Sequence, residues 1–303
     1  MEKKKKGLSA LKQYKNLYIM LIPVVVYYIV FHYVPMLGNI IAFQDYKISR
    51  GILASNFVGL KHFEAFVNDV YFWRLLRNSL VINLYNLVLG FPAPIIFALL
   101  LNEVQNKKFK KSVQMITYIP HFISAVIVCG LVTSFLANDG VINAVINSFG
   151  GENIQFMTVP SYFPMIYAVS GIWQNLGWNS IIYLSALSAI DQELYEAAAI
   201  DGASRWKQTL HITLPGILPT ISILLIMQVG SMLSVGFEKI MLLYNPSIYE
   251  TADTISTYVY RQGILGANYG YSAAVGLFNS IINFILLVFA NFVSKKSTGT
   301  GLF

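Results

Sequence analysis

Ser272-Ala-Ala-Val-Gly-Leu-Phe-Asn-Ser-Ile-Ile-Asn-Phe-Ile-Leu-Leu-Val-Phe-Ala-Asn-Phe-Val293 contains no charged side chain and is followed at once by Ser294-Lys295-Lys296. Wound as an α-helix, this run rises about 33 Å, enough to cross the roughly 30 Å of hydrocarbon in a bilayer. Two lysines directly beyond such a run suit a membrane surface with anionic headgroups.

The rest of the chain repeats the pattern. Of its 303 residues 56% are hydrophobic and 12% charged, whereas soluble domains average about 45–50% apolar and about a quarter charged. Five more apolar runs lie at roughly 17–36, 78–101, 113–136, 162–189 and 216–236. With 272–293 they predict an all-α integral membrane protein, a six-transmembrane-helix bundle with both termini on one side. The chain then divides into a basic N-terminal segment (1–16), a membrane domain (17–293) and a short tail (294–303). Lys3 to Lys6 before Leu17–Val34 imitate a signal peptide, but no small-residue cleavage site follows and further spans do, so a retained first helix is expected. Pro23, Pro35, Pro92, Pro94 and Pro120 are expected to kink or end spans. The lone Cys129 cannot form an internal disulfide. The net charge of +7 comes largely from lysines beside apolar runs, which points to topology and lipid contact and away from nucleic acid.

Basic residues set the orientation. Lys3, Lys4, Lys5, Lys6, Lys12 and Lys15 precede the first span, and Lys107, Lys108, Lys110 and Lys111 occupy the second connection. Arg205 and Lys207 lie in the fourth connection, and Lys295 and Lys296 in the tail. The opposite side holds half as many, so both termini and the second and fourth connections are expected in the cytoplasm. Two outer segments are more than loops: Phe57–Arg77 alternates aromatic and charged residues like an interfacial helix, and Phe237–Tyr271 is long and rich in Tyr, Pro and Thr.

The fourth connection carries the functional signal: Asp191-Gln-Glu-Leu-Tyr-Glu-Ala-Ala-Ala-Ile-Asp-Gly-Ala-Ser-Arg-Trp-Lys-Gln-Thr-Leu-His-Ile-Thr-Leu-Pro215. Asp191 is a good N-cap, Glu193 complements the first-turn dipole, and Leu194–Ile200 are mostly strong helix formers. Gly202 accepts the left-handed backbone that ends a helix, Ser204 caps the next, and Pro215 is placed to begin a third. Glu196-Ala197-Ala198, Asp201-Gly202-Ala203 and Ile212-x-Leu214-Pro215 resemble the EAA motif of ABC importer permeases. The resemblance implies the fold of a type I ABC importer permease, with 191–215 as a coupling segment that docks on a nucleotide-binding subunit. Glu196, Ala197, Ala198, Asp201, Gly202, Ala203, Arg205, Leu214 and Pro215 would form it. Phe57-Val-Gly-Leu-Lys-His-Phe63, Trp173-Gln-Asn-Leu-Gly-Trp178, Gly236-Phe-Glu-Lys-Ile240, Leu243-Tyr-Asn-Pro246 and Tyr249-Glu-Thr-Ala-Asp253 resemble the LplB-type branch of carbohydrate permeases.

By that resemblance the chain sits in a bacterial plasma membrane and imports an oligosaccharide or complex glycan. It would pair with a second, related permease as a heterodimer, two ATPase subunits and an extracytoplasmic substrate-binding lipoprotein. No Gly-x-x-x-x-Gly-Lys-Ser/Thr loop occurs, so the chain binds no cofactor of its own, and ATP and Mg belong to the partner ATPase subunits. The chain is accordingly expected to be a transport subunit and not an enzyme. His32, His62, His121 and His211 lack metal-ligand spacing.

Sugar-binding chemistry calls for aromatic faces and amides within the spans. Trp173, Gln174, Asn175, Trp178 and Asn179 in the fourth, Gln228 and Ser231 in the fifth, and Asn279 and Asn283 in the sixth are candidates for the substrate path. Amide and small residues also glue membrane helices together, and that alternative stands beside the first. Glu238, Lys239, Tyr249, Glu250, Asp253 and Arg261 are candidates for docking the binding protein, or form a solvated surface in which Glu238 and Lys239 pair. Two other classes remain: a secondary transporter, which would need intramembrane acids and often internal repeats, and a scaffold that holds an ATPase without moving cargo.

Overall fold

The computed structural model describes residues 14–303. The basic segment expected over 1–16 therefore lies almost wholly outside the described residues. Each predicted span coincides with helix. The first is α1 (Lys15–Phe43), followed by a two-residue antiparallel ladder, β1 (Gln44–Asp45) with β2 (Asn56–Phe57), in register Gln44 to Phe57. Next come α2 (Lys61–Val67) and the long α3 (Phe72–Glu103). The chain continues through α4 (Lys107–Phe122), α5 (Ala125–Phe135), α6 (Val141–Ser148) and α7 (Phe163–Ser188). The elbow helix α8 (Gln192–Ile200) leads to α9 (Arg205–Gly230), α10 (Phe237–Leu243), α11 (Ile255–Tyr260) and α12 (Tyr269–Thr298).

Helices α1, α3, α9 and α12 are long and apolar enough to cross a membrane. Helix α7 has the length, about 39 Å at 1.5 Å per residue, but Gln174, Asn175 and Asn179 make it more polar.

The expected third span, 113–136, is not one straight helix: α4 and α5 meet at 101°. Pro120 stands in the final turn of α4, Ile123 is extended, and the Ser124 hydroxyl accepts from the Ile127 N–H at 3.4 Å to start α5 afresh. At three other prolines the helix widens without breaking, while Pro23 and Pro219 sit in plain α-helix. Single π-turns at Ile29–Tyr33, Asn86–Gly90 and Thr209–Thr213 each end two residues before a proline, namely Pro35, Pro92 and Pro215. A proline has no N–H for the carbonyl four residues back, and its ring crowds that carbonyl; a wider turn relieves both. Pro215 therefore starts no new helix, contrary to the sequence expectation, and α9 runs unbroken from the elbow into the fifth span.

Three apolar clusters hold the bundle. Ile95, Ala98, Tyr183, Leu187 and Ile217 join α3, α7 and α9 toward the elbow end. At the other end Phe163, Tyr167, Ile240 and Leu243 gather one cluster, and Phe66, Phe72, Tyr258, Tyr271 and Val275 another. The aromatic stretch before α3 is thus partly internal: Phe66 and Phe72 are buried, while Phe57 and Trp73 face outward. Helix α7 crosses α4 closely at Gly177, where a Cβ would collide with the Thr117 carbonyl. Backbone cannot yield as a side chain does, so Gly177→Val is expected to destabilise the chain by about 1–3 kcal/mol. Thermal unfolding in detergent measures this, and a midpoint equal to wild type would contradict the close crossing.

Candidate functional site

The elbow between α7 and α9 is built as its residues dictate. The Asp191 carboxylate accepts from the Glu193 N–H at 3.0 Å, capping α8. Gly202 has φ +74°. The Ala203 N–H reaches the Ala198 carbonyl at 2.9 Å and the Gly202 N–H the Ala199 carbonyl at 3.1 Å, the paired bonds of a Schellman ending. Ala198 and Ala203, joined by the first of these bonds, are half-buried, whereas Glu196, Ala197 and Asp201 are exposed. Ser204 caps α9 through the Lys207 N–H. Two contacts brace the elbow: the Tyr195 hydroxyl lies 2.9 Å from the Thr213 hydroxyl, and Arg205 meets Glu103 at 3.7 Å. The ion pair is exposed and contributes little, but it puts the end of α3 beside the start of α9. Leu214 and Pro215 fall within α9, beyond the π-turn. Ile200 and Trp206 remain 87% and 70% exposed, large apolar side chains that the other described residues leave uncovered.

Above the elbow a cavity of about 620 Å³ opens between α3, α7 and α9, with α10 over it. Gln174, Asn175, Asn179, Gln228 and Ser231 line it, together with Asn86, Tyr167 and Lys239, which sequence reasoning did not assign there. Asn86 could have been found from its place in the π-turn before Pro92; nothing local marks Lys239. The other path candidates lie elsewhere. Trp178 stacks on the His121 ring at 4.4 Å with an interplanar angle of 4°, and the edge of Phe122 meets the same indole. The His121 Nδ1–H donates to Asn175 Oδ1 at 2.9 Å, and Gln174 Nε2 donates to the Ile123 carbonyl at 3.2 Å. These groups secure the break between α4 and α5, where a freed carbonyl in a membrane needs a partner. Trp173 is half-exposed outside the cavity. Asn283 accepts from the Leu233 N–H at 2.9 Å and donates to Ser234, holding the frayed end of α9. Asn279 Oδ1 is buried without a partner among the described residues.

The docking candidates also divide. Asp253 is fully buried: its carboxylate accepts two bonds from Arg261 at 2.7 Å, one from Arg74 at 3.0 Å and one from the Thr257 hydroxyl at 2.7 Å. Asp253 and Arg261 therefore clamp the far-end segment to α3 and offer no docking charge, because a carboxylate out of water must be paired. Asn78 on α3 adds bonds to the carbonyls of Glu250 and Asp253, both at 2.8 Å. The Tyr249 ring meets that of Tyr244 at a tilt, centroids 4.7 Å apart, and Glu238 and Glu250 are exposed. Glu238 and Lys239 form no ion pair. Instead the Lys239 ammonium turns inward, donating to the Tyr167 carbonyl at 2.9 Å and lying 4.5 Å from the centre of its ring. Burial lowers its pKa to about 8, with proximity to Cys129 acting the other way.

A helical membrane bundle with an amide-bearing cavity between its helices and a capped, exposed elbow at one end has the build of a transport subunit. The chain belongs to the family described as the binding-protein-dependent transport system inner membrane component, which matches residues 90–299. It is similar to the polygalacturonan/rhamnogalacturonan transport system permease protein YteP of Bacillus subtilis, with 46% identity over the whole chain and 94% of that protein. It is also similar to protein LplB of the same organism, with 45% identity over 98% of this chain and 95% of that one. Among solved structures it resembles a chain of the bacterial alginate ABC transporter in complex with alginate pentasaccharide-bound periplasmic protein. There the TM-score is 0.88 at 43% identity, over 97% of this chain and 99% of the other. The family makes it a permease subunit of an ABC importer in a bacterial membrane, and not an enzyme.

Proposed function

We propose that this chain is one of two related permease subunits that together form the passage of an ATP-driven carbohydrate importer. The observation that carries the reading is one continuous helix, α9: it begins at the elbow and ends beside Gln228 and Ser231 at the cavity. A push on the exposed turn around Gly202 is thereby conveyed to the cavity wall. Two ATPase subunits, holding ATP and Mg, grip the elbow through Ile200, Trp206 and Glu196, and their closure switches the bundle between two arrangements that bind cargo differently. The elbow and both termini are cytoplasmic, 17–293 forms the membrane domain with 191–215 as its coupling segment, and 294–303 is a tail. An extracytoplasmic binding lipoprotein docks at the far end, where Glu238 and Glu250 are exposed. The amide-rich cavity and the names of the relatives, transporters of polygalacturonan and alginate, support a glycan cargo.

Isolation of the native complex tests this reading: one related permease, two ATPases and a binding protein should co-purify, and sealed vesicles should accumulate an oligosaccharide only with ATP. A cysteine placed at 202 should react with an impermeant thiol reagent from the cytoplasmic side alone, and labelling from outside would defeat the proposal. Within the cavity, Asn179→Ala and Gln228→Ala are each expected to raise the half-saturating sugar concentration several-fold, about 1 kcal/mol per lost hydrogen bond. Transport kinetics in proteoliposomes check this, and unaltered half-saturation in both variants would remove the cavity from the path.

A further inference from the structure

The cavity lining is electrically one-sided. Five amides and the hydroxyls of Ser231, Tyr167 and Tyr183 are neutral, no Asp or Glu among the described residues contributes, and Lys239 supplies the positive charge. Among the described residues Lys239 has no carboxylate within ion-pair distance. Its one hydrogen-bond acceptor is the Tyr167 carbonyl, so the ammonium, with three donors, keeps two to offer. The Tyr167 ring flanks it on one side, and across from it stands Gly171, whose absent side chain leaves the ammonium room: a Cβ there would lie 3.3 Å from Nζ. Removing a lysine from water without a counter-charge is costly, and such charges in membrane proteins mark the paths of charged cargo.

We propose that Lys239 reads the carboxylates of an acidic, uronate-containing glycan as each sugar passes through the cavity. This inference rests on the carbohydrate reading above and narrows it to one chemical class. A lone ammonium on a flexible stem suits the task. It attracts a carboxylate through the low-dielectric passage but, as one point charge with rotatable donors, lets go when the next sugar arrives. A bidentate guanidinium would hold each carboxylate longer. The neighbouring amides Asn179 and Gln228 serve the hydroxyls that every sugar shares.

The test uses the whole complex with its binding protein in proteoliposomes. Uptake of short oligogalacturonates and oligomannuronates is compared with uptake of the same oligomers after reduction of their carboxyls to alcohols. Wild type should accumulate at least one of the acidic oligomers and discriminate against its reduced form. Lys239→Met should lower acidic uptake about tenfold relative to uptake of the reduced oligomer, and Lys239→Arg, which keeps the charge, should retain the preference with slower turnover. Wild-type uptake of reduced oligomers as fast as acidic ones, or an equal loss of both in Lys239→Met, overturns the inference while leaving the carbohydrate reading standing. Loss of the second permease from purified Lys239→Met, with Lys239→Arg assembling normally, also overturns it, because the ammonium would then pair with a carboxylate of that subunit. Failure of wild type to accumulate any oligosaccharide with ATP defeats the carbohydrate reading itself, and this inference with it.

Discussion

Gly202→Val is expected to cut ATP-driven uptake at least about tenfold while the chain still inserts and assembles. The backbone at 202 is left-handed, φ +74°, and apart from its chain neighbours no described residue comes within 4 Å of where a Cβ would stand. The damage would come from conformation and not from collision. A β-branched residue strained there by about 1–2 kcal/mol leaves the left-handed region and loses the two bonds to Ala198 and Ala199 that fix the angle between α8 and α9. Asparagine tolerates that region better, so Gly202→Asn should be intermediate. Uptake, membrane content and ATPase co-purification measured on the three proteins separate coupling from folding. Equal uptake in all three would show that the bend carries no work.

Asp253→Asn is expected to produce the largest loss of stability, about 3–5 kcal/mol. The carboxylate is fully buried and receives four hydrogen bonds from Arg74, Arg261 and Thr257. An amide keeps the shape but leaves two guanidinium groups facing each other without compensation. The far-end segment would then loosen from α3, and with it α10, which carries Lys239 over the cavity. Removing one arginine as well, in Asp253→Asn with Arg261→Gln, should recover part of the loss, since a smaller uncompensated charge remains. Thermal unfolding of the single and double variants in detergent decides this. A double variant less stable than Asp253→Asn alone would mean that the charges are not what binds the segment.

Both predictions turn on residues that the sequence exposed to different degrees. Gly202 was legible because its demand is local: Asp191, Gly202 and Ser204 specify cap, turn and cap within fourteen residues of chain, and the structure makes each of those bonds. Asp253 and Arg261 looked like surface charges, because the third member of their cluster, Arg74, is 179 residues away from Asp253. The fourth-span motif divided for the same reason. Gln174, Asn175 and Asn179 reach the cavity, but Trp178 belongs to the break at Pro120, and only the folding of α4 against α7 brings His121 under that indole.

The sequence by itself determined the membrane solvent, the run of helices, the site of the elbow and the disturbance of the ladder near Pro35, Pro92 and Pro120, whereas Pro23 sits in unbroken helix and Pro215 follows a π-turn in place of starting a helix. These follow from hydrophobic length, caps and missing N–H groups, all properties of neighbours along the chain. Tertiary structure alone decided which polar residues face a void, which satisfy a broken helix and which neutralise one another. Burial and pairing of a charge depend on what distant segments bring to it. Lys239 shows the difference most clearly: one residue after an exposed Glu238, it turns inward because Tyr167 offers its carbonyl there and Gly171 leaves space.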